Sequence, residues 1–147
     1  MKKGICIAIV FFFCMILVGC GSKKTLSCTI DQSSELSGLG TMGAQIDADF
    51  NGSSLLEMRI KMNLEITSDK ITESYMSTFK GIFDGVCKNG LASDIPLPNC
   101  DVKQNGKKLS LDATVKKSDI KNQKDTYGSV EKTKEEFEKM GYTCEIK

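Results

Sequence analysis

The sequence predicts an α+β fold, namely an antiparallel β-sheet with two helices packed on one face, in the order β-β-β-α-β-β-α-β. Three observations support this prediction. Apolar and polar residues alternate along several segments, apolar residues recur every three or four positions in two others, and Asn-Gly pairs separate some of the alternating segments. The first pattern is typical of half-buried strands, the second of amphipathic helices and the third of tight turns.

The alternating segments predict six strands. The first three are expected at Lys24–Ile30, Ala44–Phe50 and Leu56–Ile66, and the third alternates without a fault over its whole length. Two further strands flank Asn105-Gly106, and the last covers Tyr142–Ile146. A period of two places one face of each strand in the core and the other face in water.

The turn at Asn51-Gly52 poses a register problem. A loop of these two residues alone would place Ile46 opposite Glu57 and bring an acid onto the apolar face. Because a shift of one residue exchanges the two faces of a strand, a longer loop or a β-bulge is needed here.

The turn at Asn105-Gly106 needs no such adjustment. With these two residues as the loop, Val102 lies opposite Leu109 and Cys100 lies opposite Leu111. Apolar residues then face one another across the hairpin, which predicts a regular two-residue connection.

An apolar stripe predicts the first helix. Ser68 is expected to cap its N-terminus, Asp69 to lie in its first turn, and Asn89-Gly90 to end it. The buried side of this helix is predicted to consist of residues at steps of three and four, namely Ile71, Tyr75, Phe79, Ile82, Phe83, Val86 and Cys87.

A second, more polar helix is predicted from Ser129 to Met140. Val130, Phe137 and Met140 would lie on its buried side, and Gly141 would end it.

The N-terminal segment has the layout of a secretory signal. Lys2 and Lys3 precede an uncharged apolar run, Gly4–Val18, and the segment ends in Leu17-Val18-Gly19-Cys20. This ending resembles a bacterial lipobox, which implies cleavage before Cys20 and diacylation of its thiol. A transmembrane anchor is the alternative, but the run falls short of the ~20 residues that span a bilayer.

The expected organisation is therefore a removed signal at residues 1–19, a lipid-anchored linker at 20–24 and a single domain at 25–147. The expected location is the extracytoplasmic face of a bacterial cell membrane, with two acyl chains giving a stable anchor. Removal of the signal leaves 18 basic and 19 acidic residues in a chain without a polybasic stretch. This balance argues against a nucleic-acid partner.

The cysteine count becomes even once the signal is removed and Cys20 carries lipid. Four cysteines remain, and sequence alone allows three ways of pairing them. Cys87 and Cys100 lie close together in the chain, whereas Cys28 and Cys144 lie in the first and last strands. We therefore predict the disulfides Cys87–Cys100 and Cys28–Cys144. A zinc site is disfavoured, because the chain has no histidine and no Cys-x-x-Cys.

Two short patterns invite a functional interpretation. Residues 38–43, Gly-Leu-Gly-Thr-Met-Gly, match the dinucleotide fingerprint G-x-G-x-x-G, but a strand follows them where that motif requires a helix. We interpret them as part of a mobile loop. Asp47 and Asp49 could form a carboxylate or calcium-binding pair, yet charged residues are simply expected on the wet face of a strand.

The segment between the predicted disulfide partners Cys87 and Cys100 is a candidate interaction loop. It contains two prolines together with Leu91, Ile95 and Leu97. An apolar loop fixed at its base could bind a partner at a low entropic cost. The alternative interpretation, which we favour, is that these side chains close one end of the core.

The lipobox, the long alternating strand and the ending Glu135–Cys144 together resemble small YehR-like lipoproteins, a family of unknown function. The resemblance implies a lipoprotein and carries no activity with it. We therefore expect a non-enzymatic binding or interaction module with an unknown protein or small-molecule partner and no cofactor. The alternatives are a small-ligand carrier, with its ligand between the helices and the long strand, and a cell-wall hydrolase that uses carboxylates alone.

Overall fold

The computed structural model describes residues 22–31, 36, 38–90, 97–120 and 129–147. Its elements, in chain order, are β1 (Lys23–Asp31), β2 (Gly40–Asn51), β3 (Ser54–Ile66), α1 (Glu73–Asn89), β4 (Asn99–Asn105), β5 (Lys108–Lys116), a 3₁₀ helix (Lys117–Asp119), α2 (Val130–Lys139) and β6 (Thr143–Ile146). The six strands form one sheet in the order β4-β5-β3-β2-β1-β6, with antiparallel pairing throughout.

The predicted α+β class, with an antiparallel sheet and two helices, is confirmed. The element order gains the 3₁₀ helix between β5 and α2, which the sequence pattern did not predict. The helices divide the sheet between them, because α1 contacts β4 and β5 whereas α2 contacts β1 and β6. Neither helix is long and apolar enough to cross a membrane, within the part of the chain that the structure describes.

The core lies on one face of the sheet. The strand register aligns apolar residues across it, for example Ile46 opposite Ile60 and Ile60 opposite Ala113. Both helices add buried side chains to the same cluster, namely Met76, Phe83 and Val130. Burying a large aliphatic or aromatic side chain stabilises the fold by about 1.5–3 kcal/mol, so this face carries most of the stability.

A β-bulge solves the register problem of the β2–β3 hairpin. Phe50 lies opposite Leu55, but Asp49 lies opposite Glu57, so that Leu56 is the extra residue. The expectation of a longer loop or bulge is thereby confirmed. The assignment of Leu56 to the core was wrong, since Leu55 is only 1% exposed and Leu56 is half-buried.

The β4–β5 hairpin has a different register from the predicted one. Its loop is Gly106-Lys107, so Val102 lies opposite Leu111 and Cys100 lies opposite Ala113. The predicted pairing was wrong by two residues. A shift of two keeps every side chain on its face, so the apolar pattern could not distinguish the two registers.

Helix α1 begins later than predicted, but it buries most of the predicted stripe, since Phe83 is buried and Phe79, Val86 and Cys87 pack against the core. Ser68 does not cap it, because its hydroxyl accepts from the Lys70 backbone N–H and its carbonyl accepts from the Lys107 ammonium. Thr72 holds the N-cap position instead, and Gly90 follows the last turn. Met76 and Phe83 are the buried residues of the helix, whereas Tyr75 and Ile82, predicted to be buried, are 61% and 59% exposed.

Helix α2 matches its predicted ends more closely. The Ser129 hydroxyl accepts a hydrogen bond from the Lys132 backbone N–H, which satisfies one free donor of the first turn. Gly141, with φ 92°, follows the helix in a conformation that favours glycine. Met140 was predicted to be buried and is 58% exposed. The buried residues of the helix are Val130 and Thr133.

An ion pair joins α2 to the first strand. The Lys24 ammonium lies 2.7 Å from the Glu131 carboxylate. The hydrogen bond from Lys24, with further bonds from the Glu131 backbone N–H and Ser129, lowers the pKa of Glu131 to about 2. Both side chains are largely exposed, so the pair fixes local geometry more than it stabilises the fold.

Residues 40–43 lie in β2, so their interpretation as part of a mobile loop was wrong. A Cβ on Gly40 would overlap the carbonyl oxygen of Glu65 on β3. The glycine is therefore explained by a close approach of two strands rather than by a turn or a phosphate site.

Both predicted disulfides are present. Cys28 and Cys144 lie directly opposite each other on β1 and β6 and are almost fully buried. Cys87, near the end of α1, is bonded to Cys100 on the edge strand β4. The first bridge holds the C-terminal strand in the sheet, and the second holds α1 against it.

Candidate functional site

The face of the sheet opposite the core is polar. Polar and charged residues, together with Gly43, occupy the outward positions of the six strands, and they are exposed or half-buried. Leu56 is an exception among the described strand residues. It is a large apolar side chain, and the bulge in β3 turns it away from the core. The buried side chains of both helices belong to the opposite face.

Asp47 and Asp49 lie on this polar face, as predicted. Asp47 accepts hydrogen bonds from Ser27 at 2.7 Å and from Gln45 at 2.8 Å. Asp49 accepts from Thr25 at 2.7 Å and from Arg59 at 3.2 Å. Both oxygens of each carboxylate therefore have a protein donor, which makes the pair part of the surface hydrogen-bond network.

The described residues include no group of three or more histidine, cysteine, aspartate or glutamate side chains placed to hold a metal ion. Asp47 and Asp49 alone supply two carboxylates, whereas calcium takes six to eight oxygen ligands. Their arrangement favours the structural interpretation over calcium binding.

The polar face contains a cavity of about 540 Å³, which we call the polar cavity. Its floor follows one row of residues across four neighbouring strands, where Gly43 lies opposite Asn63 and Asn63 lies opposite Ser110. Ser110 in turn lies opposite Lys103 on the edge strand. The side chains at the centre of this row are short or absent, so the surface is concave there.

The longer side chains of the rim come from the next row and from Lys103, at the end of the floor row. Glu65 lies opposite Lys108, and their charged groups form an ion pair at 2.9 Å. Lys103 is paired with Asp101 at 3.0 Å, and the hydrogen bond and charge of Asp101 raise the pKa of Lys103. The cations of the rim are therefore partly neutralised by neighbouring acids, so the cavity is not a strong anion site.

The polar cavity offers hydrogen bonding beside apolar surface, since Met42, Leu64 and Leu109 also line it. Asn63 and Ser110 each supply both a donor and an acceptor, and Thr41 and Asn105 add two further groups of this kind. The described lining includes no cysteine, tyrosine or other aromatic side chain, and the whole chain lacks histidine. These groups can hold and orient a polar molecule.

A second, smaller cavity of about 310 Å³ lies at the opposite end of the sheet. Lys23, Thr25, Asp49, Leu56 and Glu57 are among its lining residues. We call it the proximal cavity, because it lies beside Lys23, the first residue of β1 and the one nearest to the N-terminal segment.

The other sequence candidates are dispersed. Leu97, from the candidate interaction loop, is only 5% exposed and belongs to the core, in line with the favoured interpretation for that residue. Leu91 and Ile95 lie outside the described residues, as does the candidate lipidation site Cys20. A ligand was expected between the helices and the long strand. Neither of the two cavities described above lies there, because no residue of either helix lines them.

Sequence reasoning missed the floor of the polar cavity, namely Gly43, Asn63 and Ser110. Each falls at an outward position of a strand, which is a detectable signal, but only the strand register brings them together.

No protein family, no curated protein and no solved structure matches this chain in the comparisons with known proteins.

Proposed function

We propose that this chain is a lipid-anchored extracytoplasmic binding module of a bacterial cell membrane, with the polar cavity as its ligand site. The lipobox-like ending at Cys20 supports the anchor, and the likeness to small YehR-like lipoproteins agrees with it. The sheet supports the binding role, because its two helices pack on the apolar face and leave the polar face to solvent.

The observation that carries the binding role is the row of short polar side chains across the centre of the sheet. A cavity of about 540 Å³ lies within the range that small-molecule sites occupy. Because its groups both donate and accept and its two lysines are paired with acids, the best-matched ligand is an uncharged polyhydroxylated molecule such as a short saccharide. Each ligand hydroxyl can pair with an amide or hydroxyl of the cavity.

The binding role is tested by a thermal-shift screen of the purified protein against saccharides, amino acids and short peptides. Ligand present at about 100 times its Kd should add about 2.7 kcal/mol to the free energy of unfolding and raise Tm accordingly. A saccharide is expected to give the largest rise. A screen without any rise in Tm would contradict the proposal.

The position of the site is tested with Asn63→Leu. Leucine removes both hydrogen-bonding functions from the cavity floor, and we expect the Kd of the bound saccharide to increase about tenfold or more. Thr29→Leu is the matched control, because Thr29 is exposed on the same face of β1 and does not line the polar cavity. Equal effects of the two variants on Kd would place the ligand elsewhere.

A further inference from the structure

We propose that the end of the sheet next to Cys20 docks on the bilayer, so that the polar cavity faces away from the membrane. The surface consists of the start of β1, the β2–β3 turn and Leu56, and its partner is the phospholipid surface that holds the Cys20 lipid. This inference rests on the proposed lipid anchor, and it adds an orientation and a contact that the anchor alone does not supply.

The short spacer at the N-terminus limits how far the domain can move from the membrane. Only Gly21 and Ser22 separate Cys20 from Lys23, the first residue of β1. Three Cα–Cα steps span at most about 11 Å. Lys23 lies opposite Asn51, so the β2–β3 turn is also held close to the lipid headgroups.

The polar cavity lies at the other end of the same strands. Gly43, on its floor, is opposite Asp31 at the far end of β1, and the β4–β5 turn lies at this end as well. Lys23 and Asp31 are eight residues apart along β1, which corresponds to about 26 Å in an extended strand. The sheet thus separates the anchored end from the ligand site.

The bulge provides the apolar contact of the docking surface. It makes Leu56 the extra residue of β3 and places it in the lining of the proximal cavity, together with Lys23. Leucine beside lysine suits a membrane interface, because the aliphatic side chain enters the boundary of the acyl chains while the ammonium reaches the phosphates.

The acids around Leu56 are partly neutralised. The two acids of the proximal cavity, Asp49 and Glu57, lie 3.2 Å and 3.6 Å from the Arg59 guanidinium. Lys24 is engaged with Glu131, whereas Lys23 has no ion-pair partner among the residues that the structure describes. The lysine nearest the anchor is therefore the one available for lipid phosphate.

The orientation can be measured with spin labels on the full acylated protein in vesicles of phosphatidylcholine and phosphatidylglycerol. Nitroxides are attached at Ser53→Cys, in the β2–β3 turn, and at Asp69→Cys, in the segment after β3. Nickel is chelated to the lipid headgroups and broadens the signal of a nitroxide that it meets. We expect the broadening of the Ser53 label to exceed that of the Asp69 label by about threefold or more, because the Asp69 label lies about one strand length farther from the headgroups.

Leu56→Ser tests the contact itself. We expect this variant to lower the ratio between the two labels, since the serine side chain loses the apolar contribution to membrane binding, while the short spacer keeps the ratio above one. Ile82→Ser is the matched control, because Ile82 is an equally apolar, 59% exposed residue on α1, and it should leave the ratio unchanged.

Flotation of the vesicles distinguishes a failure of the lipid anchor from a failure of the proposed orientation. Protein that floats with the vesicles but gives equal broadening at both labels would overturn the orientation and leave the anchor intact. Protein that does not float would overturn the anchor and the orientation with it. An unchanged ratio in Leu56→Ser would overturn the assignment of Leu56 to the contact.

Discussion

Replacing Cys28 and Cys144 together by alanine is expected to lower the free energy of unfolding by about 5 kcal/mol. The bond closes a loop with a sequence separation of 116 residues, and in the chain-entropy model long loops give the largest stabilisation. It also holds β6, a strand of four residues, and β6 in turn contacts α2. Domains of this size have about 5–15 kcal/mol of stability, so the double variant should be close to unfolding.

Urea denaturation followed by circular dichroism measures this effect. The matched control is the pair Cys87→Ala and Cys100→Ala, which opens a loop with a separation of only 13 residues and should cost about 3 kcal/mol. If the double variant of Cys28 and Cys144 lost less stability than this control, β6 would be held by its packing, and the proposed role of the bond would be wrong.

Gly40→Ala is expected to destabilise the protein by about 2–4 kcal/mol. The added Cβ meets backbone atoms of Glu65 and Ile66, and backbone in a paired strand can move only by breaking that pairing. Thr41 and Gly43, which follow on β2, line the polar cavity. The substitution should therefore weaken ligand binding as well as stability.

Gly81→Ala provides the control for this prediction. Gly81 is exposed within α1, and a Cβ added there meets nothing within 4 Å. Alanine is the better helix former, so this variant should be more stable than the wild type by about 0.5–1 kcal/mol. Thermal unfolding of the two variants side by side measures both effects, and a Gly40→Ala protein as stable as the wild type would show that β2 and β3 can separate at this point.

Local patterns predicted the elements whose determinants are local. The alternation of β3 and the position of α2, which was predicted from Ser129 to Met140, were both readable from a few neighbouring residues. The disulfides were predictable because the number of cysteines and the predicted strands restricted the choice. The need for a bulge was also visible, since the apolar residues of β2 and β3 could not otherwise meet.

The errors arose where two solutions satisfy the same pattern. A shift of two residues in the β4–β5 hairpin leaves all side chains on their faces, so hydrophobicity could not select the register. One edge of the α1 stripe was misplaced because apolar residues occur on more than one side of the helix, and packing buried Met76 while Tyr75 and Ile82 stayed exposed. The polar cavity depends on the alignment of residues as distant as Gly43 and Ser110, which no local pattern records.

The proposed lipid anchor makes Cys20 the lipid-bearing first residue of an extracytoplasmic binding module. Intact mass spectrometry of the protein extracted from bacterial membranes tests this most directly. We expect a chain that begins at Cys20, lacks residues 1–19 and carries a diacylglyceryl group on the thiol. A chain that keeps residues 1–19, or one whose Cys20 is unmodified, would contradict it.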